Sequence, residues 1–161
     1  MVRLAEIEWA GYRGTPSPEI IREFESALGM PLPLSFRRCI ENYNEGTPSH
    51  RFFLYRDPQL DKERTSSFIK LFSFSHQMVS NVVHNIHFPL DDRPESLIPF
   101  ARAGNRDLLC FRRYTEEVVY WILQNQPGTN EVELADTFKH FMESMEYDQN
   151  FRTFSKNLNL S

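Results

Sequence analysis

The sequence predicts an α+β domain in which N-terminal helices pack on a central, mostly antiparallel sheet, with a closing C-terminal helix. Three observations carry this expectation. Apolar residues recur at helical spacing across 18–28 and 36–43. Nearly continuous apolar segments follow at 97–101, 107–112 and 117–123, separated by turn residues. A last helical stripe at 138–145 ends the pattern. Helices first, then strands in series, then one more helix is the order of an α+β fold rather than of alternating βαβ units.

Residues 1 to 14 form a lead-in with Trp9 and Tyr12, where Gly11 and Gly14 break any regular pattern. Ser17 is a suitable N-cap, and Pro18 fits the first helical position, whose N–H has no helical partner in any case. Glu19 sits in the first turn, where the helix dipole favours an anion. Ile20, Ile21, Phe24, Ala27 and Leu28 make one apolar stripe. Gly29 is the expected stop, and Pro31 and Pro33 forbid continuation. A second helix starts near Leu34 with Ser35 as candidate cap. Phe36, Cys39, Ile40 and Tyr43 form its inner face, and Asn44 and Gly46, both tolerant of left-handed backbone, close it.

Arg51 to Tyr55 reads as a strand, 56–65 as a polar loop, and Ser67 to Phe72 as a second strand. Met78, Val82, Val83 and Ile86 have helical spacing, which predicts a short helix within 75–88. Pro89 to Pro94 is a surface loop. Leu97–Ala101, Asp107–Arg112 and Glu117–Leu123 are central strands, with Ala103-Gly104-Asn105 as a turn. Glu131-Val132-Glu133-Leu134 alternates polar and apolar, as a half-exposed edge strand does. Asp136 is the expected cap of the last helix, which points Phe138, Phe141, Met142 and Met145 inward. Residues 1–146 read as a single domain, and 147–161 as a tail or a short docked helix.

The chain has 161 residues, enough to build a core without disulfide or metal. Phe alone supplies 14 of them, which suits either a thick aromatic core or an adhesive surface. No apolar run approaches the ~20 residues of a membrane span. The N-terminus has no long apolar stretch after a basic start, so no secretory signal is expected. Cys39 and Cys110 are the only cysteines, and both sit among apolar neighbours. Two reduced packing thiols and a cytoplasmic setting are the expectation.

The net charge of −4 is unevenly placed. Residues 114–148 carry eight acids and one base, Lys139, and sum to −7. The rest carries 14 acids and 17 bases and sums to +3. Such a patch repels nucleic acid phosphates and attracts basic protein surfaces. The plain alternative is a solvated strand edge and helix face.

The ordered motifs of this chain resemble the SUKH superfamily, the Smi/Knr family. They are Phe24-Glu25, Leu28-Gly29, Leu32-Pro33 and Asn44-Glu45-Gly46, then Ile98-Pro99-Phe100-Ala101, Asp107 to Phe111 and Val119-Tyr120-Trp121, then Ala135-Asp136 before the helix of Phe138 and Phe141. Two positions depart from the family pattern: Glu45 stands where a glycine is usual, and Arg106 stands before Asp107 where a glycine is usual. The resemblance implies an immunity role, in which the protein binds and neutralises a polymorphic toxin such as a nuclease. Eukaryotic relatives of this type resemble regulatory scaffolds in cell-wall signalling. Neither branch implies enzymatic activity or a cofactor.

Chemistry ranks the candidate sites. His76, His84, His87, Asp91 and Asp92 cluster in sequence, and His84 and His87 would share a helix face, which makes zinc ligation and a hydrolase the least favoured reading. There is no HExxH, paired CxxC or glycine-rich phosphate loop. Cys39 and Cys110 lie in apolar surroundings that leave thiols inert. The favoured site is a partner-binding surface of Tyr114, Glu116, Glu117, Glu131, Glu133 and Asp136. The glutamates lie on a hairpin and an edge strand and could converge, with Tyr114 and Tyr120 as aromatic anchors. Trp121 reads as core. The function expected is stoichiometric inhibition of a cognate, basic toxin by a monomeric protein without a nucleic acid or membrane partner. The alternative is a non-enzymatic regulatory scaffold or peptide-binding adaptor.

Overall fold

The computed structural model describes residues 1–75, 82, 86 and 92–159. Four α-helices occur among them: α1 (Pro18–Leu28), α2 (Leu34–Tyr43), α3 (Phe138–Ser144) and α4 (Phe151–Asn159). The strands are β1 (Trp9–Ala10), β2 (Thr47–Pro48), β3 (His50–Asp57), β4 (Lys62–Leu71), β5 (Leu97–Ala103), β6 (Leu108–Arg112), β7 (Val118–Trp121), β8 (Glu131–Ala135) and β9 (Glu146–Tyr147). Seven of them form one antiparallel sheet in the order β8-β7-β6-β5-β4-β3-β9. β1 and β2 pair separately. The α+β architecture is the one the sequence predicts, and β8 lies at the sheet edge as its alternation required.

The two N-terminal helices cover the inner face of this sheet through aromatic packing. Ile20, Ile21, Phe24 and Leu28 of α1 are buried, as are Phe36, Cys39 and Ile40 of α2. Phe36 is the hub. Its ring lies 5.1 Å from both Phe111 and Phe138 and 5.4 Å from Phe100. Phe100 and Phe111, neighbours on β5 and β6, stack at 4.4 Å. Burying such rings supplies most of the apolar area a domain needs. The sheet also curls. β3 and β8, with four strands between them in the order, come into contact. Phe53 of β3 packs edge-on against Tyr120 of β7 at 5.2 Å. Asn125 Nδ2 donates to Asp57 Oδ1 at 2.9 Å, which fastens the β7–β8 turn to the β3–β4 hairpin.

Several local expectations are corrected. Residues 56–65 are largely strand, because β3 and β4 pair from Phe52↔Ser67 to Asp57↔Lys62 around a tight turn. Exposed polar side chains hid this hairpin from apolar patterning. The lead-in is pinned by Trp9↔Pro48 and Ala10↔Thr47. Ser17 holds the N-cap position of α1 without a side-chain bond, and Pro33, not Ser35, precedes α2. Thr137, not Asp136, caps α3, its Oγ1 accepting from the His140 N–H at 3.1 Å. After α2 the left-handed residue is Glu45 (φ 66°), not Asn44 or Gly46. Asn44 instead accepts from the Phe74 N–H at 2.9 Å and donates to the Arg13 carbonyl at 3.1 Å. Gly46 is needed for space, since a Cβ there would stand 2.7 Å from the Tyr43 carbonyl oxygen. The side chain of Glu45, in the place of the usual glycine, is itself buried and meets Arg13 Nε at 3.3 Å.

The helix predicted within 75–88 falls mostly outside the described residues, as do Met78, Val83, His76, His84, His87 and Asp91. Val82 and Ile86 are helical, and Val82 is buried. Beyond β9, α4 anchors Phe151 in the protein while Leu158 stays exposed.

Candidate functional site

The candidate surface is built on the β6–β7 hairpin, and that hairpin divides its own charges. Residues opposite one another on neighbouring strands share a face. Trp121 pairs with Leu108 and Glu131, and Val119 with Cys110 and Glu133. Glu131, Glu133 and Trp121 therefore lie on the outer face. Arg112, at the end of β6, gathers the carboxylates there. Its Nε meets Glu117 at 3.1 Å, Nη1 meets Glu131 at 3.2 Å, and Nη2 meets Glu133 at 3.6 Å. Burial works against the Arg112 charge, but the hydrogen bond and charge of Glu117, with those of Glu131, hold its pKa above the ordinary value. Three carboxylates against one guanidinium leave this cluster negative by two charges. The sequence offered no sign that a single arginine would bind all three, because its partners lie 5, 19 and 21 residues away.

Glu116 goes the other way. It lines a groove between residues 3–9, α2 and the start of α3. Asp136 is exposed beyond the end of β8. The structure thus brings Glu117, Glu131 and Glu133 together and leaves Glu116 and Asp136 outside their cluster.

Tyr114 stands at the hairpin tip, 67% exposed. Its backbone is left-handed (φ 68°), and its N–H donates to the Leu28 carbonyl at 2.8 Å. Its ring packs over Gly29, the left-handed residue that ends α1, where a Cβ would collide with it. The Arg113 guanidinium sits 5.0 Å from the ring centroid. A side chain held this way loses little freedom when a partner covers it. Tyr120, expected as a second anchor, is fully buried and belongs to the core. Trp121 is buried as expected, and its Nε1 has no acceptor among the described residues.

Cys39 and Cys110 are both buried, and burial pushes the Cys39 thiol up to about 12. Among the described residues no group of three His, Cys, Asp or Glu side chains converges to hold a metal ion, and no helix is long and apolar enough to cross a membrane.

The fold and this surface describe a domain whose exposed features suit contact. The family model of the SMI1 / KNR4 family (SUKH-1) matches residues 15–144, and the chain belongs to that family. It is known as a non-catalytic, immunity-type family. No curated protein matches the chain.

Proposed function

We propose that the protein is an immunity protein that neutralises a cognate toxin by stoichiometric binding, without chemistry of its own. The observation that carries this reading is Tyr114: a rigid, exposed aromatic ring on the hairpin that also supplies the negatively charged Arg112 cluster. Buried aromatic anchors supply much of the energy of protein interfaces, and net charge beside them speeds encounter. The residual negative charge of Glu117, Glu131 and Glu133 favours a basic toxin, a nuclease among them, since enzymes that hold phosphates carry basic surfaces. Glu116 and Asp136 lie outside that cluster, so the charge part of the reading rests on the other three glutamates. The inhibitor acts in the cytoplasm as a monomer.

The test is co-purification with the toxin encoded beside this gene. Tyr114→Ala is expected to weaken the complex by about tenfold or more. The triple change Glu117→Gln, Glu131→Gln, Glu133→Gln is expected to slow association at low salt. Unchanged affinity in both variants would remove this surface from the contact, and turnover of a substrate by the isolated chain would overturn the non-catalytic reading.

A further inference from the structure

The turn between β7 and β8 builds a cavity that adjoins the Arg112 cluster. It encloses about 500 Å³. Trp121 at the end of β7, Glu131 at the start of β8 and Asn130 and Pro127 between them line one part of it, and Asp92 and Pro94 line another. Strand register sets Trp121 beside Glu131, because the two are cross-strand partners. The indole and the prolines give the cavity apolar walls.

Asn130 fixes its hydrogen-bonding character. This side chain is only 8% exposed. Its Nδ2 donates to the Ile122 carbonyl at 2.8 Å and to the Asn125 carbonyl at 2.9 Å. Both amide hydrogens are thus engaged, and Oδ1 accepts no hydrogen bond among the described residues. An enclosed acceptor without a donor favours an occupant that brings one.

The charges point the same way. Among the described residues the ionisable side chains that line the cavity are Asp92 and Glu131, both acids. Asp92 is exposed and has no ion pair among the described residues. Glu131 meets Arg112 Nη1, but that guanidinium is shared with Glu117 and Glu133 and does not cancel their charge. Arg93 follows Asp92 in the chain, is not part of the lining and has an interaction of its own. Residues 76–91, which lead into Asp92, contain no lysine or arginine.

We propose that this cavity receives an arginine side chain of the partner protein, its guanidinium donating to Asp92, Glu131 and Asn130 Oδ1 and its stem lying against Trp121 and Pro127. Arginine suits the site better than lysine, because its planar fork presents five N–H donors to several acceptors at once and packs against flat rings. This rests on the reading above that the partner is a basic toxin, and adds the residue type that enters and the place it occupies.

The probe is the peptide acetyl-Gly-Arg-Gly-amide. Its twin carries citrulline, which replaces the guanidinium by an uncharged urea of nearly the same shape. The full chain has two tryptophans, so the indole N–H resonances of Trp9 and Trp121 report location directly, with Trp9→Phe giving the assignment. The arginine peptide is expected to shift the Trp121 indole and to leave the Trp9 indole in place. The citrulline twin is expected to bind about tenfold more weakly or worse. Asp92→Asn is expected to weaken the arginine peptide by about fivefold and to leave the citrulline twin unchanged, without touching the Arg112 cluster. Glu131→Gln is expected to weaken the arginine peptide as well. Both positions are exposed, so these variants keep the core. An unmoved Trp121 indole, equal affinity for the two peptides, or indifference to Asp92→Asn would overturn the proposal. Neutralisation of the toxin is scored separately. Arginine capture by a chain that fails to protect against the toxin supports the cavity and sinks the toxin reading, and protection without arginine capture does the reverse.

Discussion

The phenol of Tyr120 donates a hydrogen bond to Asp107 Oδ2 at 2.5 Å, within the core and between two of the segments that identify the family. Both groups are buried. Asp107 Oδ1 accepts the Leu123 N–H at 2.8 Å, and Ser66 Oγ lies 3.0 Å from the phenol oxygen. The pair ties the start of β6 to the middle of β7 and reaches across to β4. Tyr120→Phe removes the donor and leaves a buried carboxylate oxygen without it. A loss of about 1–3 kcal/mol is expected, read from the denaturant midpoint at constant slope.

The pH dependence follows from two carboxyls shifted in opposite directions. Burial outweighs the hydrogen bonds from Tyr120 and the Leu123 N–H and raises the Asp107 carboxyl above its ordinary 3.8. The folded state keeps this proton where the unfolded chain has lost it. The contribution of Asp107 is thus full below the unfolded value and is lost as pH rises through the raised folded value. For Asp57, burial also acts upward, but hydrogen bonds from Asn125, the Gln59 and Leu60 N–H groups and Arg64 outweigh it and lower the carboxyl. Its contribution is present above the ordinary value and is lost as pH falls through the lowered one. Asp107→Asn is expected to flatten the first slope and Asp57→Asn the second, in unfolding curves taken across the acid range.

Arg112 holds three carboxylates, one from the turn before β7 and two from β8. Arg112→Gln leaves them facing one another. A loss of about 1 kcal/mol is expected at low salt, shrinking as salt screens the repulsion. The same change makes the outer face more negative, so association with a basic toxin is expected to quicken while stability falls. Stopped-flow binding and chemical unfolding, run on one variant, read the two effects against each other.

Gly29 combines a left-handed backbone (φ 80°) with the Tyr114 ring lying on it. Gly29→Ala is expected to cost about 1 kcal/mol from backbone strain alone, and more if the ring stays in place. If the ring moves instead, partner affinity falls with it. Calorimetric melting and toxin titration of this variant separate the two routes.

Both thiols are expected to be silent toward a disulfide reagent in the native protein and to react fully in denaturant. Cys39 carries a pKa pushed up to about 12, and Cys110 is completely buried. Rapid native labelling of Cys39 would mean that the wall of the groove opens.

Much of the architecture was legible residue by residue. The stripes of α1 and α2, the stop at Gly29, the apolar β6 and β7, and the alternation of β8 are local patterns, because burial on one face imposes a spacing that the chain displays directly. Tyr120 reads in sequence as a surface anchor because nothing local shows that Asp107 receives its phenol inside the core. The polar hairpin of β3 and β4 has no apolar alternation at its tip, so pairing rather than burial forms it. The glutamates show the boundary most clearly. Their number and sign were written in the chain, but which of them meet depended on strand register and on the hairpin's turn. Register sends Glu117, Glu131 and Glu133 to Arg112, and the turn sends Glu116 to the groove. Side-chain spacing reports what one element buries; the sign of a surface depends on which elements fold against each other, and that is a property of contacts far apart in sequence.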